Sequence, residues 1–122
     1  MTAPTDQPTE AGCLFCRIAA GEVPAALVHE TPHTVAFRDI DPQAPSHVLV
    51  IPRRHVPDVG ALADVSAEEL AELVRATAEV ARMEGLDGGY RSVYNTGPDA
   101  QQSVFHAHVH VLGGRAMTWP PG

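Results

Sequence analysis

Residues 105–112 read Phe105-His106-Ala107-His108-Val109-His110-Val111-Leu112, with three histidines in strict alternation. On an extended strand, a period of two sends His106, His108 and His110 to one face, each about 7 Å from the next. Phe105, Ala107, Val109 and Val111 take the other face, which is expected to be packed core. The chain must therefore build a sheet with one sealed face and a row of imidazoles on the other. A buried imidazole needs a hydrogen-bond partner, so three in register are not ordinary core residues. Two chemistries fit, metal ligation or a nucleophile with helper groups. Spacing does not choose between them, because alternating strand histidines also hold catalytic zinc.

The other elements follow from turn and capping signals. Cys13 to Ala20 reads as a short helix ended by Gly21 and Pro24. Ala26 to His29 and Thr34 to Asp39 read as a hairpin around Glu30-Thr31-Pro32-His33. A Pro-containing loop, Ile40 to Ser46, leads into a buried strand from His47 to Pro52. Ser66-Ala67-Glu68-Glu69 is a capping box, with Glu69 expected to reach back to Ser66, and it opens a helix ending near Gly85. Leu70, Leu73, Val74, Thr77, Val80 and Ala81 give that helix one packing face. Arg91 to Asn95 reads as a strand, Thr96 to Ser103 as a polar loop, and Val104 to Leu112 as the last long strand. This order predicts an α+β domain: an antiparallel sheet of about five strands, one long helix on a face, and a short N-terminal helix.

At 122 residues the chain has the size of one domain. Residues 1–12 are expected to be a disordered tail and 13–122 the domain. The tail lacks the basic start and apolar run of a secretory signal, which points to a cytoplasmic protein. No apolar run approaches the ~20 residues of a membrane span. The eight basic residues, all arginine, face fifteen acidic ones for a net charge of −7, which argues against nucleic acid or an anionic membrane as partner. A phosphate-bearing ligand must then be met by a local site. The only two cysteines, Cys13 and Cys16, form a C-x-x-C that suits metal or redox chemistry in a reducing compartment.

His106-x-His108-x-His110 resembles the motif of the histidine triad family. Phe37-Arg38-Asp39-Ile40, Pro42 to Pro52, Tyr94-Asn95, Gln102-Ser103-Val104, His110 to Arg115 and the ending Trp119-Pro120-Pro121-Gly122 are similar to its Hint branch. The resemblance runs from Cys13 to the end of the chain. It implies a side-by-side homodimer and hydrolysis of purine nucleoside phosphoramidates, AMP joined to an amine. His108 would attack the α-phosphorus and carry a transient nucleotidyl group, with no cofactor needed for that step. Neutral imidazole, with an ordinary pKa of about 6.5, is a competent nucleophile at pH 7. Its other nitrogen would be held by a backbone carbonyl of the same strand. His110 and His47 match the phosphate-side histidines, Ser103 the serine at the leaving nitrogen, and His106 the first triad position. Gln102 and the Ser103 and Val104 amides would lie beside the phosphate, and Asn95 near it. Asp39 matches the carboxylate that accepts both ribose hydroxyls. Leu14, Phe15, Ile18, Phe37 and Ile40 fall where the family lines its base pocket. Trp119 matches a tail that reaches the partner subunit's nucleotide site.

Three departures from the pattern stand out. Ala100-Gln101 replaces two glycines ahead of Gln102-Ser103, and Arg38 stands where a histidine is common. Cys13-Leu14-Phe15-Cys16 is similar to bacterial members that bind structural zinc. By that likeness the ligands here are Cys13, Cys16, His55 and His106, a closed tetrahedral set. The rival readings are a dinucleoside polyphosphate hydrolase with the same nucleophile, a non-catalytic nucleotide-binding regulatory protein, and a zinc hydrolase that uses all three strand histidines as ligands.

Overall fold

A computed structural model describes residues 9–122 of the chain; most of the expected tail, residues 1–8, lies outside the described residues. Within that range the elements are α1 (Leu14–Ala19), β1 (Leu27–Glu30), β2 (Thr34–Arg38), β3 (Ser46–Pro52), α2 (Val59–Val65), α3 (Ala67–Met83), β4 (Tyr90–Val93) and β5 (Val109–Gly113). The strands form one antiparallel sheet in the order β1-β2-β3-β5-β4. The α+β architecture read from the sequence is the one observed. Among the described residues, no helix is long and apolar enough to cross a membrane.

The central strand β3 is buried along its whole length because both of its faces are covered. On one face Val48 and Val50 pack with Ala36, Val109 and Val111 against Leu73, Ala76, Val80 and Ala81 of α3. On the other, Leu49 and Ile51 join Val35 and Phe37 under Phe15 and Ile18 of α1. Alternation along β2 and β3 thus divides two small cores, and the functional residues gather at the edge of the second.

The structure corrects four details. The last strand begins at Val109, not Val104, since residues 104–108 carry no ladder and pass through bends. Alternation persists there all the same, held by the bond from the Ala107 amide to the Val56 carbonyl at 2.8 Å. Phe105, expected in the core, is 55% exposed, because it lies ahead of the ladder that would have pressed it onto α3. A second helix, α2, was not expected; Asp58 caps it by accepting the Ala61 amide at 2.8 Å, and Val59 and Leu62 anchor it.

The capping box at Ser66 is half formed. The Ser66 hydroxyl accepts the Glu69 amide at 3.1 Å. The Ser66 amide is already taken by the Leu62 carbonyl that ends α2. Glu69 turns instead to Arg54, which donates two hydrogen bonds of 3.0 and 2.8 Å, and this pairing pulls its carboxyl below the usual range. At the N-terminal boundary, Glu10 is tied to α1 by the bond from the Cys13 amide to its carbonyl at 3.1 Å.

Candidate active site

A cavity of about 670 Å³ opens between α1, the segment 23–26, the end of β2 and the approach to β5. Leu14, Phe15, Ile18, Phe37, Asp39, Ile40, Ser103, Val104, His108 and His110 all line it, as read from the sequence. Phe15 is buried, and its ring meets Phe37 and His108 edge to face, with centroids 5.4 and 5.2 Å away. Ile40 is fully exposed and Leu14 half exposed at the rim, so their apolar surface is available to a ligand. The sequence reading missed Leu49 and the wall from Val23 to Ala26. Leu49 was recoverable, since alternation from His47 puts it on the same face. The wall has no periodicity to reveal it.

The hydrogen bonds fix which nitrogen of each histidine bears a proton. A carbonyl only accepts, so the 2.7 Å contact between His108 Nδ1 and the His106 carbonyl makes Nδ1 the donor. The Nε2 of neutral His108 therefore keeps its lone pair. His47 Nδ1 accepts the Gln43 amide at 3.0 Å, so the ring's proton is on Nε2, and Nε2 donates to His110 Nδ1 at 2.9 Å. His110 must then carry its own proton on Nε2. The result is a nucleophile-ready nitrogen on His108 beside a hydrogen-bond donor on His110, with ring centroids 5.1 Å apart.

Burial disfavours charge on the His110 and His47 rings. It pushes His110 down to about 4, with His108 and His47 adding repulsion, and it lowers His47 against the pull of Asp39 and Asp41. Asp39 lies at the end of the β2–β3 ladder, where its amide bonds the His47 carbonyl at 3.0 Å. Its Oδ1 accepts the Asp41 amide at 2.8 Å, and Oδ2 lies 3.4 Å from His47 Nε2.

A second cluster joins Cys13, Cys16, His55 and His106. His106 is fully buried and donates from Nε2 to the Pro52 carbonyl at 2.7 Å. That leaves the Nδ1 lone pair facing Cys13 Sγ at 3.4 Å and Cys16 Sγ at 3.5 Å. His55 Nδ1 lies 3.5 Å from Cys16 Sγ, while its Nε2 meets the Glu10 carboxylate at 3.4 Å. Tetrahedral zinc with bonds of about 2.0–2.3 Å separates its donors by roughly 3.3–3.8 Å, the range of these three separations, and all four donor atoms lie within 4.8 Å of one another. Burial raises the Cys16 thiol to about 11, a charge deficit that a cation would reverse. His106 thus belongs to this cluster by its side chain and to His108 by its carbonyl.

His47, expected on the phosphate side, is not in the cavity lining and reaches it only through its bond to His110, and three further residues expected at the ligand are not brought there. Gln102 is buried as a clamp: its amide donates to the Pro57 and Val104 carbonyls at 2.6 and 3.1 Å, and its oxygen accepts the Gly97 amide at 2.9 Å. No side-chain donor is left for a phosphate. Asn95 is half-buried outside the cavity lining. Trp119 is 80% exposed and lies over Arg91, 5.7 Å from the guanidinium carbon to the ring centroid, while Arg91 also bonds the Thr118 carbonyl. Where glycines were missing, Gln101 adopts φ +67, a left-handed conformation unfavourable to a side chain.

A family model described as the HIT domain matches residues 20–117. A maize protein named a 14 kDa zinc-binding protein is 48% identical over 122 aligned residues, covering 96% of this chain and 90% of its own length. Among solved structures, a HIT family hydrolase from Legionella pneumophila superposes with a TM-score of 0.87 at 48% identity, covering 91% of this chain and all of that one. Another HIT family hydrolase, from Clostridium thermocellum, gives 0.86 at 39% identity, covering 90% of this chain and 96% of its own.

Proposed function

The chain belongs to the HIT domain family, and on that footing we propose that it hydrolyses purine nucleoside phosphoramidates through a covalent nucleotidyl-histidine on His108. The observation that carries this reading is the 2.7 Å bond from His108 Nδ1 to the His106 carbonyl, which leaves Nε2 unprotonated beside the cavity. The His108 Nε2 lone pair attacks the α-phosphorus, the P–N bond to the amine breaks, and the leaving nitrogen takes a proton from solvent through the Ser103 hydroxyl, a proton returned to solvent when water later attacks the adduct. Water then breaks the new P–N bond to His108, releasing the nucleoside monophosphate and restoring the imidazole. His110 donates from Nε2 to the phosphoryl oxygens, and His47 holds the His110 ring in that tautomer. Asp39 meets the ribose, and Phe15, Ile18 and Phe37 cover the base. Trp119 would enter the site only as part of a larger assembly.

Cys13, Cys16, His55 and His106 would hold one zinc ion. All four positions of a tetrahedral ion are filled by the chain, so the metal's contribution is to fasten α1 and His106 together. A second copy of the chain would cover the open edge of β4 and the neighbouring groove of Leu70, Val74 and Tyr94, where Val74 and Tyr94 are exposed. Reduced cysteines suit a cytoplasmic setting.

The decisive experiment is rapid quench of the protein with an AMP amidate, followed by peptide mass spectrometry. Nucleotidylation of His108 is the expected result. Turnover without any histidine adduct would overturn the mechanism, and tight AMP binding without turnover would make the protein a nucleotide-binding regulator.

A further inference from the structure

Glu84 is the C-cap residue of α3, where a carboxylate meets the negative end of the helix dipole. That placement is unfavourable unless other partners offset it. Arg38 donates to its two oxygens at 2.7 and 2.9 Å, and the buried Ser46 hydroxyl donates at 2.9 Å to the oxygen that also takes the shorter Arg38 bond. The Glu84 side chain is only 13% exposed, and Arg38 holds its carboxyl below the usual range.

The two donors are the sequence neighbours of two site residues, Asp39 and His47. Alternation puts the Arg38 and Ser46 side chains on the α3 face, with Val48 and Val50, although Arg38 also borders the cavity, while the opposite face holds Asp39, in the cavity wall, and His47. Asp39 and His47 stand where the β2–β3 ladder ends, joined by one backbone bond of 3.0 Å. A ladder end frays easily unless it is held from outside. One carboxylate on the far side of the sheet grips both strands at that place. We infer that Glu84 is a positioning residue, which sets Asp39 for the ribose through Arg38 and His47 for the phosphate-side relay through Ser46.

This inference rests on the proposed reading of the site. Arg38→Met removes the Asp39 arm, Ser46→Ala the His47 arm, and Glu84→Ala both. Glu84→Gln keeps an oxygen for Ser46 but turns an amide N–H toward the guanidinium. Misplacement of a positioned group by a fraction of an ångström is read as roughly a tenfold loss. AMP affinity by calorimetry and kcat on an AMP amidate are measured together, with melting curves showing each variant folded. Arg38→Met and Glu84→Gln should weaken AMP binding more than they lower kcat. Ser46→Ala should lower kcat more than affinity, and Glu84→Ala should lose both.

Equal proportional losses in Arg38→Met and Ser46→Ala, or wild-type values in Glu84→Ala, would overturn the assignment. If the wild-type protein turns over no amidate, the reaction is at fault rather than Glu84. The imidazole nitrogen resonances of His47 and His110 then decide the matter beside AMP affinity. They should shift in Ser46→Ala and Glu84→Ala, and unshifted resonances would refute the role.

Discussion

His108 donates from Nδ1 to the main-chain carbonyl of His106 at 2.7 Å, while the His106 ring faces two thiols at 3.4 and 3.5 Å. One residue therefore joins the candidate metal cluster to the candidate nucleophile, the carbonyl serving one and the ring the other. Removing the proposed nucleophile leaves Asp39 and the apolar cavity lining in place. His108→Ala should lower turnover roughly 10³-fold or more while AMP still binds. Single-turnover kinetics beside calorimetry would check this, and near-normal turnover would end the mechanism.

Metal should be found at about one zinc per chain in protein purified under reducing conditions without chelator. Cys16→Ser should lose that metal and melt several degrees lower, because binding at a site that exists only in the folded chain is linked to folding. Elemental analysis and melting curves of both proteins provide the test. Wild-type protein free of metal would leave the cysteines as core residues.

Stability should fall on mild acidification. Burial holds His110 at about 4 and lowers His47, whereas both imidazoles in the unfolded chain titrate near about 6.5. The unfolded state therefore binds more protons between these values. The stability these rings contribute is present above about pH 6.5 and is lost as pH drops toward about 4. Urea titrations at pH 7 and pH 5 should show this loss in the wild type and a smaller one in His110→Asn. An equal loss in both would assign the acid sensitivity elsewhere.

Gln102 should prove structural rather than phosphate-binding. Its three hydrogen bonds tie the loop at Gly97 to Pro57 and Val104, ahead of Ser103. Gln102→Ala removes the partner of the Gly97 amide and of the Pro57 and Val104 carbonyls and should cost about 0.5–1.5 kcal/mol for each hydrogen bond lost. Chemical denaturation would measure this. A variant of wild-type stability with weakened AMP binding would return Gln102 to the ligand.

Much of the molecule was legible in the chain itself. The alternation of His106, His108 and His110 assigned one face to chemistry and one to core even though the ladder forms only from Val109 onward. Local signals were enough to place the helix opened by Ser66, whereas the pocket lining from Phe15, Phe37 and Asp39 was read from the family resemblance. Periodicity and capping act over a few residues, so a single sequence displays them.

Tertiary structure decided whatever depended on a partner distant in the chain. Glu69 follows the capping rule by position but pairs with Arg54, because the end of α2 already holds the Ser66 amide. Gln102 looks like a phosphate contact by its neighbours, yet its amide is spent on Pro57, 45 residues away. Arg38 sits beside Asp39 at the cavity border, but its guanidinium is spent on Glu84, 46 residues away. The protons on the histidines were also settled by partners that folding alone supplies, the accepting Pro52 carbonyl for His106 and the donating Gln43 amide for His47. A sequence specifies which groups can donate or accept, and only the folded chain determines which of them meet.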